Sequence, residues 1–190
     1  YRNNRSNLTA TQIAMIESYK ELPDPFMWDV YGMGKRGASI DLIYRGWALY
    51  DEEVSGGDVF YGLDFGYVHP CALVKVTHKD GANYVEEKMY LSGLKISEII
   101  DNLKRIVEPG ATIYADAAEP GMIQEIYDEG FNIYAAKKDV WTGIIKVKSM
   151  PLFIHSTSTN LKNEISMYKW KKDKSENILE EPVKKADDAV

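Results

Sequence analysis

The chain has 190 residues, of which 45% are hydrophobic, and this is enough for one domain with a buried core and a short appendage. It contains no apolar run long enough to span a membrane. Its single cysteine, Cys71, excludes a disulfide framework and a cysteine-rich zinc site, so we expect a buried thiol in a strand.

The net charge of −6 conceals two segments of opposite sign. Residues 58–136 carry six basic and 13 acidic side chains, a balance of −7, whereas residues 137–174 carry nine basic and three acidic ones, a balance of +6. An acidic segment beside a basic one suits a metal centre next to a track for a polyanion. A solvated lysine-rich face explains the basic segment equally well, and the charges alone leave both interpretations open.

Residues 1–57 are predicted to form a lead-in and linker that precedes the main domain. Thr9 is a candidate N-cap for a short helix. Residues 31–37, Tyr-Gly-Met-Gly-Lys-Arg-Gly, superficially resemble a phosphate-binding loop. They lack the full glycine spacing and a preceding strand, so we interpret them as a turn. Residues 51–57 are polar and are expected to link this region to the first strand of the domain.

From residue 58 to residue 190 the hydrophobic pattern predicts a mixed α/β domain. Three strands come first, at about 58–65, 71–78 and 83–91, and their short turns predict antiparallel pairing. Alternating helices and strands follow: a helix from Ile96 to Val107, a strand at 111–115, a helix that Pro120 opens and Gly130 closes, a strand at 131–135, a helix near 140–149, a strand at 152–154 and a helix at about 158–167.

This order predicts a ribonuclease-H-like fold. Such a fold has a mixed central sheet, with three antiparallel strands and then parallel strands, and it is flanked by helices. In the helix after Pro120, the side chains of Ile123, Ile126 and Tyr127 are expected to face the core.

Aspartates end two of the predicted strands. Asp64 closes the first strand between two glycines, Gly62 and Gly66, and Asp116 closes the fourth. A carboxylate in a buried-strand pattern is costly unless it is paired or holds a metal. If these two strands are neighbours, their carboxyl ends bring both acids together, and the glycines would let backbone or nucleic acid approach Asp64 closely. A strand-end turn for Asp64 and a helix N-cap for Asp116 remain open alternatives.

A third acidic pair, Asp187 and Asp188, lies at the end of the chain. It could complete a divalent-metal site or could simply occupy the first turn of a helix. Mg²⁺ takes oxygen ligands and uses one or two carboxylates, and two ions about 3.5–4 Å apart can promote in-line phosphodiester hydrolysis. Asp64 is then the candidate that bridges the ions, Asp116 binds one ion, and a terminal acid binds the other.

Basic residues supply candidate contacts to a nucleic-acid backbone. They are Lys137 and Lys138 after the fifth strand, and Lys169, Lys171 and Lys172 in a stretch that interleaves aromatic and cationic residues. That interleaving suits phosphate contact and base stacking. An amphipathic strand with a solvated lysine face is the alternative.

These motifs resemble the C-terminal nuclease domain of the large terminase subunit of tailed phages or prophages. The matching segments are Tyr61–Tyr67 with Pro70 and Ala72, Ala115–Pro120, Ala135–Lys138, Glu181–Val190 and, upstream, Tyr1–Asn4 and Val30–Gly34. The resemblance implies a Mg²⁺- or Mn²⁺-dependent endonuclease that cuts concatemeric double-stranded DNA with two metal ions. By position, Asp64 and Asp116 match two metal-binding acids of the family.

The resemblance also implies partners and a place in the cell. An N-terminal ATPase domain of the same full-length chain would bind ATP, and the portal protein and the small terminase subunit would be partners. The protein would act in the host cytoplasm, at the procapsid portal, and we expect the chain to be a piece of a longer protein that is truncated within its final helix.

The chain departs from the family pattern at its end. The family commonly has a histidine where Asp188 stands, and its third acid follows three residues later, so Asp188 or Asp187 could substitute for it. Two other functions are considered: a junction-resolving nuclease of the same fold, and a non-catalytic module that binds DNA or the portal.

Overall fold

A computed structural model describes residues 2–21, 28–33, 41–137, 139–173, 175, 178–183 and 188–189. The strands are β1 (Trp47–Tyr50), β2 (Asp58–Asp64), β3 (Cys71–Lys79), β4 (Ala82–Leu91), β5 (Thr112–Ala115), β6 (Asn132–Ala135), β7 (Leu152–His155), β8 (Trp170–Lys172) and β9 (Ile178–Pro182). The α-helices are α1 (Ala10–Ser18), α2 (Ile96–Ile106), α3 (Pro120–Asp128), α4 (Val140–Lys148) and α5 (Thr159–Met167).

Seven strands form one mixed sheet in the order β1-β7-β4-β3-β2-β5-β6, and β8 pairs with β9 in a separate ribbon. β2, β3 and β4 are antiparallel neighbours, while β5 and β6 run parallel to β2. The turn between β3 and β4 is built on Asp80 and Gly81, whose φ angles are 51° and 75°. The predicted mixed sheet, with three antiparallel strands followed by parallel ones and flanked by helices, is therefore confirmed.

Helices α2 and α3 cover one face of the sheet. Ile99, Ile100 and Leu103 of α2 are buried against inward side chains of β2, β3, β5 and β6. Their helical spacing is the pattern that identified α2 in the sequence. Cys71 lies in the same cluster and is fully buried, as expected.

One helical residue was assigned to the wrong face. In α3, Ile126 is fully buried, but the side chain of Tyr127 is 57% exposed. Adjacent residues of a helix differ by about 100° in direction, and the side of α3 that meets the core carries Ile126 with the partly buried Met122 and Ile123. Tyr127 therefore points towards solvent.

Helix α5 packs on the opposite face. Leu161 and Ile165 of α5 form a second apolar cluster with Ala72 and Val74 of β3, Leu152 and Ile154 of β7, and Ala189. This helix leaves the face of β2, β5 and β6 partly open, since Tyr114 and Tyr134 there are about half exposed.

The N-terminal region contributes one strand to the main sheet. Thr9 caps α1, and its backbone and side chain exchange hydrogen bonds with Gln12. Residues Trp47–Tyr50, within the segment expected to be a lead-in, form β1, which pairs in parallel with β7 at the edge of the sheet. The domain boundary at residue 58 stays a prediction. Of the glycine-rich sequence at 31–37, residues 34–37 lie outside the described residues. No helix among those described is long and apolar enough to cross a membrane.

Candidate metal centre

Asp64 and Asp116 stand side by side at the ends of two adjacent parallel strands. Leu63 of β2 is paired with Ala115 of β5, so the residue after each occupies the same level of the sheet. The backbone N–H of Asp116 donates to the carbonyl oxygen of Leu63 at 3.1 Å, which extends the ladder to the acid itself. Neighbouring strands lie about 4.8 Å apart, so the two side chains leave the sheet close together.

Both carboxylates project from the face of the sheet that α5 partly covers. Leu63 and Ala115 are buried in the cluster beneath α2 and α3, and successive residues of a strand point to opposite faces. Asp64 and Asp116 consequently point away from that core, and both are half-buried. This alternation explains why an acid can follow an apolar strand without entering the core.

Asp116 is not the N-cap of α3. The helix begins at Pro120, and Glu119 occupies the cap position. The Oδ1 atom of Asp116 instead accepts a hydrogen bond from the N–H of Ala118 at 3.1 Å, within the turn that leads to the helix. That hydrogen bond orients the carboxylate at the end of the strand. The helix N-cap, which the sequence left open as an alternative for Asp116, does not apply.

Asp188 reaches the same place from the other end of the chain. A cavity of about 360 Å³ on this face is lined by Asp64, Asp116, Asp188 and Gly62 together with apolar side chains from the sheet and α5. Asp188 is half-buried, and its neighbour Ala189 packs in the apolar cluster beneath α5. Asp187 lies outside the described residues.

The acids suit a hard divalent cation. Their donors are carboxylate oxygens, which Mg²⁺ and Mn²⁺ accept, and Mg²⁺ completes its coordination with water and substrate phosphate. Among the described residues, no group of three or more acidic, histidine or cysteine side chains is placed so that it could hold a metal ion. An ion bound by Asp64 and Asp116 would take water or substrate oxygens as its other ligands.

Two residues that the sequence did not single out support the C-terminal segment. Glu164 of α5 is only 3% exposed and accepts a hydrogen bond from the N–H of Ala189 at 2.7 Å. The hydroxyl of Tyr90 donates to the other oxygen of the same carboxylate. A signal was present, because Glu164 falls between Leu161 and Ile165 on the apolar side of the helix.

The lysines lie apart from the cavity. Of those described, none lines it. Lys137 is exposed just after β6, and Lys169 is exposed beside an isolated bridge to Leu42. In the β8–β9 ribbon, Lys171 pairs with Glu181 at 2.5 Å and Lys172 lies 3.7 Å from Asp41. Lys138 is outside the described residues.

Comparison with solved structures identifies several similar domains. The nuclease domain of the large terminase g2p from bacteriophage SPP1, with bound Mn, superposes with a TM-score of 0.65 at 20% identity and covers 75% of this chain and 90% of its own. The nuclease domain of the P22 large terminase gives 0.55 at 13% identity, over 74% of this chain and 81% of its own. The chain has the terminase nuclease fold.

A longer large terminase, from a thermophilic bacteriophage and in complex with ADP, gives a TM-score of 0.67 at 18% identity. That match covers 97% of this chain but 50% of the ADP-bound terminase, so this chain spans about half the length of that protein. The fold that the sequence resemblance implied is thus confirmed. No protein-family model and no curated protein sequence matches the chain.

Proposed function

We propose that this chain is the nuclease domain of a phage or prophage large terminase and cuts concatemeric double-stranded DNA with the help of Mg²⁺ or Mn²⁺. The observation that carries the proposal is the pairing of Asp64 and Asp116 at the ends of adjacent parallel strands, on a fold shared with terminase nuclease domains. Solved domains of that fold have bound Mn in the SPP1 protein and cobalt in the G20c protein.

The charges of the cavity explain why a cation is required. Three aspartates line it and no described lysine does, so a DNA phosphate would meet only negative side chains. Two like charges about 4 Å apart repel by about 4 kcal/mol at an effective dielectric constant of about 20. A bound divalent ion would reverse that repulsion and would also activate water for attack on the phosphodiester.

Each acid has a proposed role in this scheme. Asp64, at the end of β2, would bridge two ions, Asp116 would bind one of them, and Asp188 would bind the other. Asp187 remains a candidate for the last role. Gly62 forms part of the cavity floor, where a side chain would occupy the space that DNA needs.

The wider setting follows from the same proposal. An ATPase domain elsewhere in the full-length chain would bind ATP and drive DNA translocation, because this chain spans only half of the ADP-bound terminase that it matches. The portal protein and the small terminase subunit would be partners, and cutting would occur at the procapsid portal in the host cytoplasm.

Charge-removing variants test the site. Asp64→Asn and Asp116→Asn should each abolish Mn²⁺-dependent cutting of plasmid DNA and weaken Mn²⁺ binding in calorimetry. Asp101→Asn is the matched control, because Asp101 is an exposed acid of α2 on the opposite face of the sheet. Full cutting activity in both site variants would refute the proposed centre.

Metal binding should also stabilise the fold. A ligand at 100 times its dissociation constant raises the free energy of unfolding by about 2.7 kcal/mol, so Mn²⁺ should raise the melting temperature of the wild-type chain. The same addition should leave the melting temperature of Asp64→Asn nearly unchanged. An equal rise in both proteins would place the ion elsewhere.

The two alternative functions give different results. A junction-resolving nuclease would prefer branched over linear DNA in the same cutting assay. A non-catalytic DNA- or portal-binding module would release no heat with Mn²⁺ and would not depend on Asp64.

The lysines are proposed as contacts to DNA phosphates, and their exposure and acidic neighbours suggest which of them contributes most. Lys137 is exposed and follows the strand next to β5, whereas Lys171 and Lys172 have acidic neighbours that would compete with phosphate. Lys137→Ala should therefore weaken DNA binding and lower the salt slope by about one. Lys171→Ala and Lys172→Ala should have smaller effects, and Lys138 and Lys169 are tested alongside them.

A further inference from the structure

The inference concerns how the end of the chain is held over the proposed metal centre, and it rests on the proposed function. Asp64 is paired with Ala72 of β3, and Ala72 is paired with Tyr90 of β4. Paired residues on neighbouring strands share a face, so Tyr90, Ala72, Asp64 and then Asp116 form one row across the sheet. Strand spacing puts the Tyr90 backbone about 10 Å from that of Asp64.

A bulge in β4 determines which side chains join that row. Leu73 is paired with Met89 and Val74 with Glu87, so Lys88 is an extra residue without a partner in β3. Without the bulge, Glu87 and Tyr90 would point to opposite faces, because they are three residues apart. With it, both face α5.

These two β4 residues fix α5 on the sheet. The carboxylate of Glu87 accepts hydrogen bonds from the N–H of Leu161 at 2.7 Å and from the side chain of Asn160 at 2.8 Å, at the start of the helix. One turn further on, the hydroxyl of Tyr90 donates to Glu164. Burial is the main cause that raises the pKa of Tyr90, and the nearby carboxylates of Glu164 and Asp188 raise it further. The hydroxyl of Tyr90 therefore stays protonated and remains a hydrogen-bond donor.

Ala72 leaves room above the middle of the row. Its side chain is a single methyl group, 1% exposed, and Ala189 belongs to the same apolar cluster. The N–H of Ala189 donates to the Oε2 atom of Glu164 at 2.7 Å. Ala189, directly next to Asp188, is thereby held by the buried carboxylate of Glu164 and by apolar packing beneath α5.

We infer that Glu164 is a positioning residue that holds the C-terminal segment so that Asp188 faces Asp64 and Asp116. Glu164 does so as an acceptor of two hydrogen bonds, from Tyr90 and Ala189, and does not itself bind the ion. Residues that orient metal ligands typically change metal affinity by about 10–100-fold when they are replaced.

Two substitutions at position 164 distinguish a need for a hydrogen-bond acceptor from a need for a negative charge. Glu164→Met fills the apolar surroundings but accepts no hydrogen bond, so Mn²⁺ should bind about 10–100-fold more weakly in calorimetry. Glu164→Gln keeps an oxygen for the Ala189 amide, and its NH₂ group can donate to the Tyr90 hydroxyl. It should therefore bind Mn²⁺ nearly as wild type does. Equal loss in both variants would mean that the negative charge itself matters, and would overturn the inference.

A double-mutant cycle tests whether Glu164 acts through Asp188. Asp188→Asn alone should weaken Mn²⁺ binding, and adding Glu164→Met to it should weaken binding no further. A further loss equal to that of Glu164→Met in the wild-type background would show independent action and would overturn the inference. If Glu164→Met does not fold, the double variant Glu164→Met with Tyr90→Phe takes its place in the cycle, because it also removes the Tyr90 hydroxyl that has lost its acceptor.

Amide exchange in metal-free protein separates this inference from the proposed function. Glu164→Met should speed exchange of the Ala189 amide by about tenfold or more, and Glu164→Gln should change it little. If Asp64→Asn leaves Mn²⁺ binding intact, the proposed metal centre fails, whatever the exchange shows. If Ala189 exchanges equally fast in wild type and Glu164→Met, the anchoring fails even when the metal centre stands.

Discussion

The turn between β2 and β3 sets a strict steric limit at Gly66, two residues after Asp64. A Cβ atom at this position would lie 2.4 Å from the carbonyl oxygens of both His69 and Pro70. Comfortable carbon–oxygen contacts are about 3.3 Å or longer, so Gly66→Ala forces the turn to move by nearly 1 Å. Overpacking of this kind costs about 1–3 kcal/mol.

That cost should be visible in thermal unfolding. For a chain of this size, each kcal/mol lowers the melting temperature by about 2–4 °C, so Gly66→Ala should melt about 2–12 °C below wild type. Gly62→Ala is the matched control, because no heavy atom lies within 4 Å of the Cβ position there. Alanine is favoured over glycine inside a strand by about 0.5–1 kcal/mol, so Gly62→Ala should be at least as stable as wild type. A Gly66→Ala protein that melts with wild type would refute the steric reasoning.

Three further predictions concern packing and ionisation beneath α2. Burial raises the pKa of Glu108, but hydrogen bonds from Lys75 and Tyr61 outweigh it and hold that pKa below its ordinary 4.5. A carboxyl group whose pKa is lowered by folding stabilises the folded state at pH values above its ordinary pKa. The difference in unfolding free energy between wild type and Glu108→Gln, measured in urea, should therefore shrink as the pH falls below 4.5. A difference that does not depend on pH would contradict this. Burial raises the pKa of the Cys71 thiol to about 11, so iodoacetamide at pH 8 should label it only after unfolding, and rapid labelling of native protein would contradict the assignment. Leu103→Ala removes a fully buried side chain and should cost about 2–5 kcal/mol in urea unfolding, and a loss under about 1 kcal/mol would mean that the site collapses around the gap.

The sequence contained the information for the sheet and for two of its acids. Alternation around Tyr61 and Leu63 marks β2, helical spacing of Ile99 and Leu103 marks α2, and short turns require β2, β3 and β4 to be antiparallel. These are local signals, and each is decided within a few residues. The adjacency of β2 and β5, which brings the two acids together, was only a condition in the sequence, and the structure supplies it.

Features that depend on distant contacts were not predictable in the same way. Tyr127 has an apolar body and lies one helical turn after Ile123, yet Ile126 is fully buried and Tyr127 is exposed. The strand at Trp47–Tyr50 is defined by pairing with β7, more than 100 residues away, and nothing in its own four residues requires it. Its pairing depends on an edge that the rest of the fold creates.

The bulge at Lys88 shows why the third acid is harder to assign than the first two. Asp64 and Asp116 follow strands that the hydrophobic pattern predicts, and the regular pairing of β2 with β5 places them side by side. Ala189, the residue after Asp188, donates its backbone N–H to Glu164 of α5. Tyr90 donates to the same carboxylate, and Tyr90 and Glu87 both face α5 because of the bulge in β4. A one-residue irregularity leaves no clear periodic trace in a ten-residue strand, yet it reverses the direction of every side chain beyond it. The position of Asp188 is therefore a property of the packed domain, and its proposed role as a metal ligand is tested by substitutions at positions 90, 164 and 188 together.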